Sequence, residues 1–152
     1  MDVTSYLLGK KSSGGTDINE YFKNTGYIDN AGACIKKLPF DIDLTGISNC
    51  NNFFYDWVNL ESVSFKNGGS VTKVYGMFNG CINLMFIDVR DIIFSNITSG
   101  SDKNIMLGNR NYGYVPSNCL IIVKDDTEKE WFTINFSTWT NVKTVAEYEA
   151  QQ

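Results

Sequence analysis

The middle of the chain repeats its pattern of apolar and polar positions. Residues 48–65 (SNCNNFFYDWVNLESVSF) and 71–89 (VTKVYGMFNGCINLMFIDV) align with a constant offset that places Phe54 on Phe78. In both, a phenylalanine precedes Asn-Leu, and two apolar residues then flank one polar position. These endings are Leu60-x-x-Val63-x-Phe65 and Leu84-x-x-Ile87-x-Val89. Because side chains alternate between the two faces of a strand, each ending predicts a short strand with one buried face.

An earlier segment fits the same template. Ile35-x-x-Leu38-x-Phe40 precedes the first of these endings by one further repeat length, although it lacks the asparagine. One such unit cannot bury its own apolar face, whereas three or four stacked units form a continuous core. Residues 33–123 are therefore predicted to form a solenoid of stacked units.

The run CLIIV at 119–123 predicts a buried last strand of this solenoid. Its pattern leaves open whether the inward pair is Ile121 with Val123 or Leu120 with Ile122. The stretches before it, 98–104 and 108–114, are rich in Gly, Ser and Asn and are predicted to be loops.

The tail, residues 124–152, is predicted to be a C-terminal cap. Thr127-Glu128-Lys129-Glu130 matches a capping box, so a helix should begin near residue 127. Thr144-Val145-Ala146-Glu147 is a second, weaker match. The tail carries four bulky aromatic residues: Trp131, Phe132, Phe136 and Trp139. The end of a repeat array must be shielded from water, and this aromatic segment suits that role.

The head, before the repeats, contains two short patterned segments. In residues 1–15, Val3, Tyr6 and Leu7 share one face of a helical turn, Leu8 extends the apolar patch, and GKKSSGG is a flexible linker. Residues 16–32 open on a near repeat, DINEYF, and are predicted to hold a second short helical segment. A helix of one or two turns is unstable alone. The first segment is either an anchor peptide that docks on a partner or on the parent domain, or a terminus without a role.

Composition narrows the chemistry. The 152 residues are 43% hydrophobic and 20% charged, with a net charge of −4 and no basic cluster, so neither nucleic-acid binding nor membrane insertion is expected. The absence of histidine excludes Ser-His and Cys-His catalysis and leaves a zinc site poorly supported. No cofactor is expected. Four cysteines without metal-ligand spacing are predicted to pack as free thiols in a reducing cytoplasm: Cys34, Cys50, Cys81 and Cys119.

A carboxylate pair is the remaining catalytic option. The candidate pairs are Asp41 with Asp43 and Asp88 with Asp91. The alternation in Asp41-Ile42-Asp43-Leu44 is that of a strand with a solvent face, which is the simpler interpretation. The sequence therefore predicts that the protein is not an enzyme.

The repeat resembles that of the BspA-type leucine-rich repeat family. The residues that fall on the family pattern are Met77, Phe78, Cys81, Leu84 and Ile87. The preceding unit departs from it, because Trp57 stands where the family has cysteine. Asn59 and Asn83 suit the stacked asparagine position of leucine-rich repeats, where the amide bonds exposed backbone inside a turn.

The two ends of the chain also resemble known proteins. Together with the repeats, these resemblances cover residues 2 to about 149. The ending NCLIIVKDDTEKEWFTINFSTWTNVKTVAEYEA is similar to the closing segment of such proteins from phages and prophages. There a strand, a Lys-Asp-Asp turn, a Trp helix and TNVKT terminate the array. The opening, MDVTSYLLGKK with its Gly-Ser linker, DINEYF and IKKLP, resembles the start of phage structural proteins of this type.

These resemblances imply an α+β, β-rich fold. They imply a short leucine-rich-repeat-like solenoid of about three to four rungs, which lies between an N-terminal anchor peptide and a C-terminal cap. They imply a non-enzymatic fibre or decoration protein on the capsid or tail of a bacteriophage virion, assembled in the bacterial host cytoplasm. The anchor residues Val3, Tyr6, Leu7 and Leu8 would bind another virion protein of the capsid, portal or tail. A homo-oligomer such as a trimer is expected, since multivalency multiplies weak contacts.

A second function from another class is host-cell adhesion. Tyr55, Trp57 and Tyr75 could form a flat aromatic face that recognises a surface glycan or protein. The alternative is that these rings pack between the repeat units, since they stand beside the periodic apolar positions.

Overall fold

Five short strands lie side by side in a parallel sheet. The structure, a computed structural model, describes residues 35–38 and 41–152. In sheet order the strands are β1 (Ile42–Asp43), β2 (Ser62–Lys66), β3 (Phe86–Asp88), β6 (Leu120–Val123) and β7 (Val142–Thr144). The described part also contains an antiparallel hairpin, β4 (Gly108–Asn109) with β5 (Gly113–Tyr114), and three α-helices, α1 (Gly100–Lys103), α2 (Asp126–Asn135) and α3 (Val145–Ala150). The fold is thus mixed α/β with a parallel sheet at its centre.

The constant offset of the sequence repeat is the register between β2 and β3. Ser62 lies opposite Phe86, and Val63 lies opposite Ile87. The predicted alternation is confirmed, because Val63 and Phe65 are buried on one face while the serines between them lie on the other. The same positions of the next unit are buried as well: Leu84, Ile87 and Val89.

Backbone hydrogen bonds also connect the turns that lead into the strands. Amides at alternate positions donate to carbonyls one turn further along the chain, at 2.7–2.9 Å: Cys50 to Lys73, Asn52 to Tyr75, Phe54 to Met77 and Asp56 to Asn79. The next turn continues this pattern: Val74 to Asp102, Gly76 to Asn104 and Phe78 to Met106. Each turn thus satisfies the polar backbone of its neighbour, which allows the turns to pack without water between them.

Phenylalanines fill the space between the sheet and the turns. Phe54 and Phe78, which occupy the same position in consecutive units, stack with ring centroids 6.2 Å apart and planes inclined by 5°. Phe65 of β2 packs edge-on against both rings, at 6.0 and 6.1 Å. All three rings are buried, so the repeated sequence positions form a continuous aromatic column.

Polar side chains also form hydrogen bonds between residues that lie about one repeat length apart in the chain. Asn83 Nδ2 donates to the carbonyl of Val58 at 2.7 Å, which confirms the bonding predicted for this asparagine. Asn67 joins two equivalent turns, because its side chain donates to Asp43 Oδ1 at 3.0 Å and its backbone N–H donates to Asp91 Oδ2 at 2.8 Å. These contacts fix the turns relative to one another at the surface, where water would otherwise compete.

The segment before β1 is described only at residues 35–38. Lys37 forms a parallel bridge with Ser62, Leu38 is buried, and Ile35 packs against the core. The template match at Ile35 and Leu38 therefore corresponds to real packing. Phe40 lies outside the described residues, as do the predicted segments 1–15 and 16–32 and the anchor residues Val3, Tyr6, Leu7 and Leu8.

Helix α2 begins where the sequence predicts but is capped differently. Asp125 is the N-cap, and its Oδ1 accepts the backbone N–H of Glu128. Asp125 reaches this position because its backbone is still extended after β6. Glu128 is buried and bonds outside the helix, where it accepts Ser95 N at 3.0 Å and Ser95 Oγ at 2.7 Å. Glu128 therefore attaches the helix to Ser95, which follows β3, and Asp125 caps the helix in place of the predicted capping box of Thr127 and Glu130.

The aromatic residues of the tail close one end of the core. Trp131 and Phe132 pack against Phe94 with ring centroids 5.1 and 5.0 Å apart, and Trp131 Nε1 donates to the carbonyl of Ile97 at 3.3 Å. Phe136 packs against the same rings. The aromatic tail therefore covers apolar residues of the preceding turns.

Helix α3 covers the outer face of β6. Thr144 and Glu147 form the capping box that the sequence predicts at its start. Ile121 and Val123 face the main core, and Ile122 on the opposite face is also fully buried. The sequence left open which pair of β6 residues faces inward. Both faces of β6 are covered, so neither pair alone is the buried one.

Two predicted loops contain short regular elements. Residues 98–104 include α1, and residues 108–114 form the β4–β5 hairpin. Both elements are shorter than the sequence patterns can reveal.

Candidate functional site

The outer face of the sheet carries a groove whose floor is made of small side chains. On β2, Ser62 and Ser64 point away from the core. On β3, Phe86 lies opposite Ser62 and Asp88 lies opposite Ser64, and Asp88 in turn lies opposite Ile122 of β6, which is buried beneath α3. A step from serine to phenylalanine between neighbouring strands leaves a depression above β2.

Larger side chains line the sides of this groove. Phe86 and Tyr148 of α3 contribute aromatic rings whose centroids are 6.0 Å apart and whose planes are inclined by 51°. Lys37 and Asp41 line it as well. The groove has a volume of about 560 Å³, which falls within the range of roughly 300–1,000 Å³ that small-molecule sites occupy.

The polar groups of the groove are not engaged elsewhere in the described part of the chain. Among residues 35–38 and 41–152, the hydroxyls of Ser62 and Ser64 form no hydrogen bond, and Lys37 and Asp41 form no ion pair. A serine hydroxyl both donates and accepts, an ammonium donates, and a carboxylate accepts. The groove therefore offers donors and acceptors of both kinds beside two aromatic rings.

Polar contacts hold Tyr148 and its helix over the sheet. Glu147 Oε1 accepts the backbone N–H of Thr144 at 3.0 Å and the ammonium of Lys129 at 2.9 Å. These two contacts, the first more than the second, lower the pKa of Glu147 to about 2. Glu149 lies 3.7 Å from the guanidinium of Arg90. Helix α3 is thus linked both to α2 and to the turn after β3.

A second exposed surface surrounds the β4–β5 hairpin. Ile82, Tyr112 and Tyr114 expose 45%, 47% and 54% of their surface. Tyr112 packs edge-on against Tyr55 at 4.8 Å, and Ile82 lies against Gly113, where a Cβ would come within 2.5 Å of its Cγ2. The hairpin surface is defined here as Tyr55, Ile82, Tyr112 and Tyr114. Adjoining exposed apolar side chains of this kind mark places where other molecules bind.

The structure corrects one member of the predicted aromatic face. Trp57 is fully buried, edge-on against Phe54 at 4.8 Å, and its ring therefore presents no surface to a ligand. It occupies the interior because it stands where Cys81 stands one unit later, and that position faces the core. Tyr55 and Tyr75 are half-buried, and Tyr55 contributes to the hairpin surface. The ligand face itself stays a prediction for these two residues.

Two of the aspartates that could have formed a catalytic pair, Asp43 and Asp88, serve structural roles. The side-chain hydroxyl of Thr45 and the amide of Asn67 bond to Asp43 and lower its pKa. Asp88 accepts three hydrogen bonds from the guanidinium of Arg90, the shortest at 2.8 Å. Each carboxylate thus organises the turn that follows its own strand.

The described cysteines pack as free thiols. Cys50, Cys81 and Cys119 are fully buried, as predicted, and Cys34 lies outside the described residues. Burial raises the pKa of the Cys50 and Cys81 thiols strongly and that of Cys119 to about 12. Thiols with raised pKa values are weak nucleophiles at neutral pH.

Comparison with known proteins adds no relative, because no family model, curated protein or solved structure matches the chain. In the described ranges, His, Cys, Asp and Glu side chains nowhere gather in a group of three or more that could hold a metal ion. None of the helices in the described part has both the length and the hydropathy that crossing a membrane requires.

Proposed function

We propose that the chain is a non-enzymatic structural component of a tailed bacteriophage virion, a small fibre or decoration protein on the capsid or tail. In this proposal it folds as a short leucine-rich-repeat-like solenoid, is attached through its N-terminal peptide, and presents the solenoid and its cap outward. It is assembled in the bacterial host cytoplasm together with the capsid, portal or tail protein that it binds, as a homo-oligomer such as a trimer.

The solenoid part of the proposal is supported by the common spacing of its contacts. Strand register, backbone bonds between turns, the Phe54–Phe78 stack and the bonds of Asn67 all recur at nearly the same separation along the chain. Stacked repeats in which each unit contacts its neighbours produce this kind of regularity. Under this interpretation the rungs are β1, β2, β3 and β6.

The observation that carries the virion part is the order of elements in the closing segment. The resemblance to phage structural proteins leads us to expect a strand, a Lys-Asp-Asp turn, a Trp helix and TNVKT. The chain has β6, then Lys124-Asp125-Asp126, then α2 with Trp131, and then β7 within TNVKT. The turn supplies the helix cap, and the tryptophan covers the preceding turns, so each part of the motif has a physical purpose.

The attachment proposal is tested on the N-terminal peptide. A variant with Val3, Tyr6 and Leu7 all changed to Ser should fold normally but be absent from purified particles, since its apolar contacts with the partner are lost. The near repeat DINEYF provides a matched control, in which Ile18, Tyr21 and Phe22 are changed to Ser. Normal incorporation of the first variant would refute attachment through this peptide. Loss of incorporation in both variants would show that attachment is not specific to the peptide with Val3, Tyr6 and Leu7.

A second candidate function is host-cell adhesion, through recognition of a surface glycan or protein. It is favoured by the hairpin surface, where Tyr112 and Tyr114 expose about half of their side chains. Tyrosine is enriched at the centres of binding interfaces, because it gives a large contact area with little loss of conformational entropy.

Adhesion is tested with the labelled full chain on host cells. Changing Tyr112 and Tyr114 to Ser should abolish binding. Ile134→Ser is the matched control, because Ile134 is 72% exposed on α2, away from the hairpin. Equal cell binding by the unmodified chain and the double variant would contradict adhesion through this surface.

A further inference from the structure

We propose that the groove above β2 is a binding site for a neutral saccharide. The inference gives a ligand class to the adhesion candidate and rests on it. It assigns saccharide recognition to the groove, in addition to the contacts that the hairpin surface makes with the host cell. It follows from the shape of the groove, from its unengaged polar groups and from its two aromatic rings.

The floor suits a ligand that lies flat on the sheet. Ser62 and Ser64 leave a depression beside Phe86, the much larger residue that lies opposite Ser62 on β3. The backbone of β2 is already paired on both sides, with β1 and with β3. An extended peptide therefore finds no free strand edge at this floor to pair with, and contacts must be made by side chains.

The polar groups suit a ligand that is rich in hydroxyl groups. A sugar hydroxyl both donates and accepts, so it needs partners of both kinds. The two serine hydroxyls provide both, Lys37 provides a donor, and Asp41 provides an acceptor. None of these four groups is engaged by another residue in the ranges that the structure describes. As far as the described residues go, they are available to exchange bonds with water for bonds with a ligand.

The charge of the lining disfavours an ionic ligand. Lys37 and Asp41 carry opposite charges on the same groove, so the part of the lining that the structure describes has no net charge. An anion such as phosphate would gain one favourable contact with Lys37 and suffer one repulsion from Asp41. A neutral ligand uses both groups as hydrogen-bond partners of unusual strength, because bonds to charged groups are stronger than bonds between neutral groups.

The aromatic rings suit the apolar face of a sugar. A pyranose ring presents C–H groups on its faces and hydroxyls around its edge. Phe86 and Tyr148 offer flat apolar surface on one side of the groove, while the polar groups lie on the floor and at the other residues of the lining. Aromatic rings carry a negative face that attracts such C–H groups. A short saccharide can therefore satisfy both kinds of lining at once.

The test uses the full ¹⁵N-labelled chain titrated with glucose, galactose, N-acetylglucosamine, rhamnose and their disaccharides. At least one of these probes should shift the backbone amide signals of β2, Phe86 and Tyr148, and leave those of the hairpin surface unchanged. If every probe leaves the groove signals unchanged at millimolar concentration, the proposal is wrong. Shifts confined to the hairpin surface would also overturn it.

Ser64→Phe is the decisive variant, because it fills the floor with a side chain that suits a strand. It should weaken saccharide binding by about tenfold or more. Lys66→Phe is the matched control, since Lys66 lies two residues further along β2 on the same face but does not line the groove. Thermal unfolding of both variants checks that they fold. Should Ser64→Phe fail to fold, Tyr148→Ser and Tyr148→Phe replace it, and only Tyr148→Ser should lose binding.

Failure of this inference is distinguishable from failure of the proposed functions. Particle incorporation reports on the virion role alone. If Ser64→Phe binds host cells as well as the unmodified chain does, whereas the Tyr112 and Tyr114 double variant does not, adhesion stands and the groove proposal falls. The chain could also bind members of a peptide library and none of the saccharides. If Ser64→Phe abolished that peptide binding, the ligand of the groove would be a peptide and the inference would be refuted.

Discussion

Residues 41–98, termed the repeat region, and residues 119–152, termed the closing segment, are stabilised by different kinds of contact. In the repeat region, bonds and ring contacts recur from one unit to the next, as between Phe54 and Phe78 and between Asn67 and its two aspartates. In the closing segment, the side-chain contacts that join it to the repeat region each occur once. Glu128 bonds Ser95, and Trp131 Nε1 bonds the carbonyl of Ile97.

In the proposed solenoid, this difference marks the place where the stack of repeats ends. In stacked repeats, each unit pairs its backbone with the next unit and buries its apolar side chains against it. The last unit has no further repeat to pair with or to pack against. The closing segment covers this last unit with large aromatic rings and with side-chain bonds of Glu128 and Trp131. Irregular contacts are therefore expected where the regular ones stop.

The largest expected effects come from removing one buried ring in each region. Phe78→Ala in the repeat region and Phe132→Ala in the closing segment should each lower the free energy of unfolding by about 3–5 kcal/mol, because both rings are fully packed. Urea unfolding followed by tryptophan fluorescence and by circular dichroism measures this. Both variants should keep a single transition, since one continuous core includes both rings. A separate early transition in Phe132→Ala would show that the closing segment unfolds independently.

The next effect concerns the buried acid that joins the two regions. Glu128→Ala should cost about 1–3 kcal/mol of unfolding free energy, because it leaves the N–H and hydroxyl of Ser95 without their acceptor. Glu130→Ala on the same helix is the control, since Glu130 is exposed and should change the free energy very little. If urea unfolding gave the same free energy of unfolding for the two variants, the bonds of Glu128 would not stabilise the contact between the regions.

A smaller effect compares the same asparagine contact in both regions. Asn83 donates to Val58 O at 2.7 Å, and Asn141 donates to Asn118 O at 3.2 Å. Substitution of each by Ala should cost about 0.5–1.5 kcal/mol, with the larger loss at Asn83 because its bond is shorter. Asn111→Ala in the exposed hairpin tip is the control for loss of an asparagine side chain. A larger loss at Asn141 would contradict this ranking of the two regions.

The smallest effect is the pH dependence contributed by Glu147. Its pKa is lowered in the folded chain from 4.5 to about 2, so its contribution to stability is fully present above 4.5 and is lost as the pH falls towards 2. Glu147→Gln should therefore lower the thermal midpoint at neutral pH and make its decline below pH 4.5 shallower. The effect is modest because the side chain is exposed and screened by solvent. Identical pH profiles for both chains would show that the contact with Lys129 and the capping bond contribute nothing.

Much of the repeat region could be predicted from the sequence. Leu60, Val63, Phe65 and their counterparts in the next unit follow the strand period, and the same positions are buried in the structure. The helices of the closing segment could also be located, because capping residues act through the backbone of their own first turn. The choice of cap at Asp125 was missed, since several acidic residues stand together there and their sequence does not say which of them bonds.

The groove could be predicted only in part. Its serines stand at alternating positions of a predicted strand, so their outward direction follows from the sequence. The meeting of Ser64 with Tyr148, which belongs to the last helix, does not. The hairpin surface was missed for a similar reason, because Tyr112 lies in a stretch predicted to be a loop and its contact with Tyr55 joins two distant turns.

The sequence by itself determined the repeat, its strands and the two helices that follow, because these depend on periodicity and on local backbone bonding. Only the tertiary structure decided which side chains meet: that Trp57 is buried, that both faces of β6 are covered, and that α3 crosses the outer face of the sheet. Such meetings depend on the packing of elements far apart in the chain, and a local pattern carries no information about them.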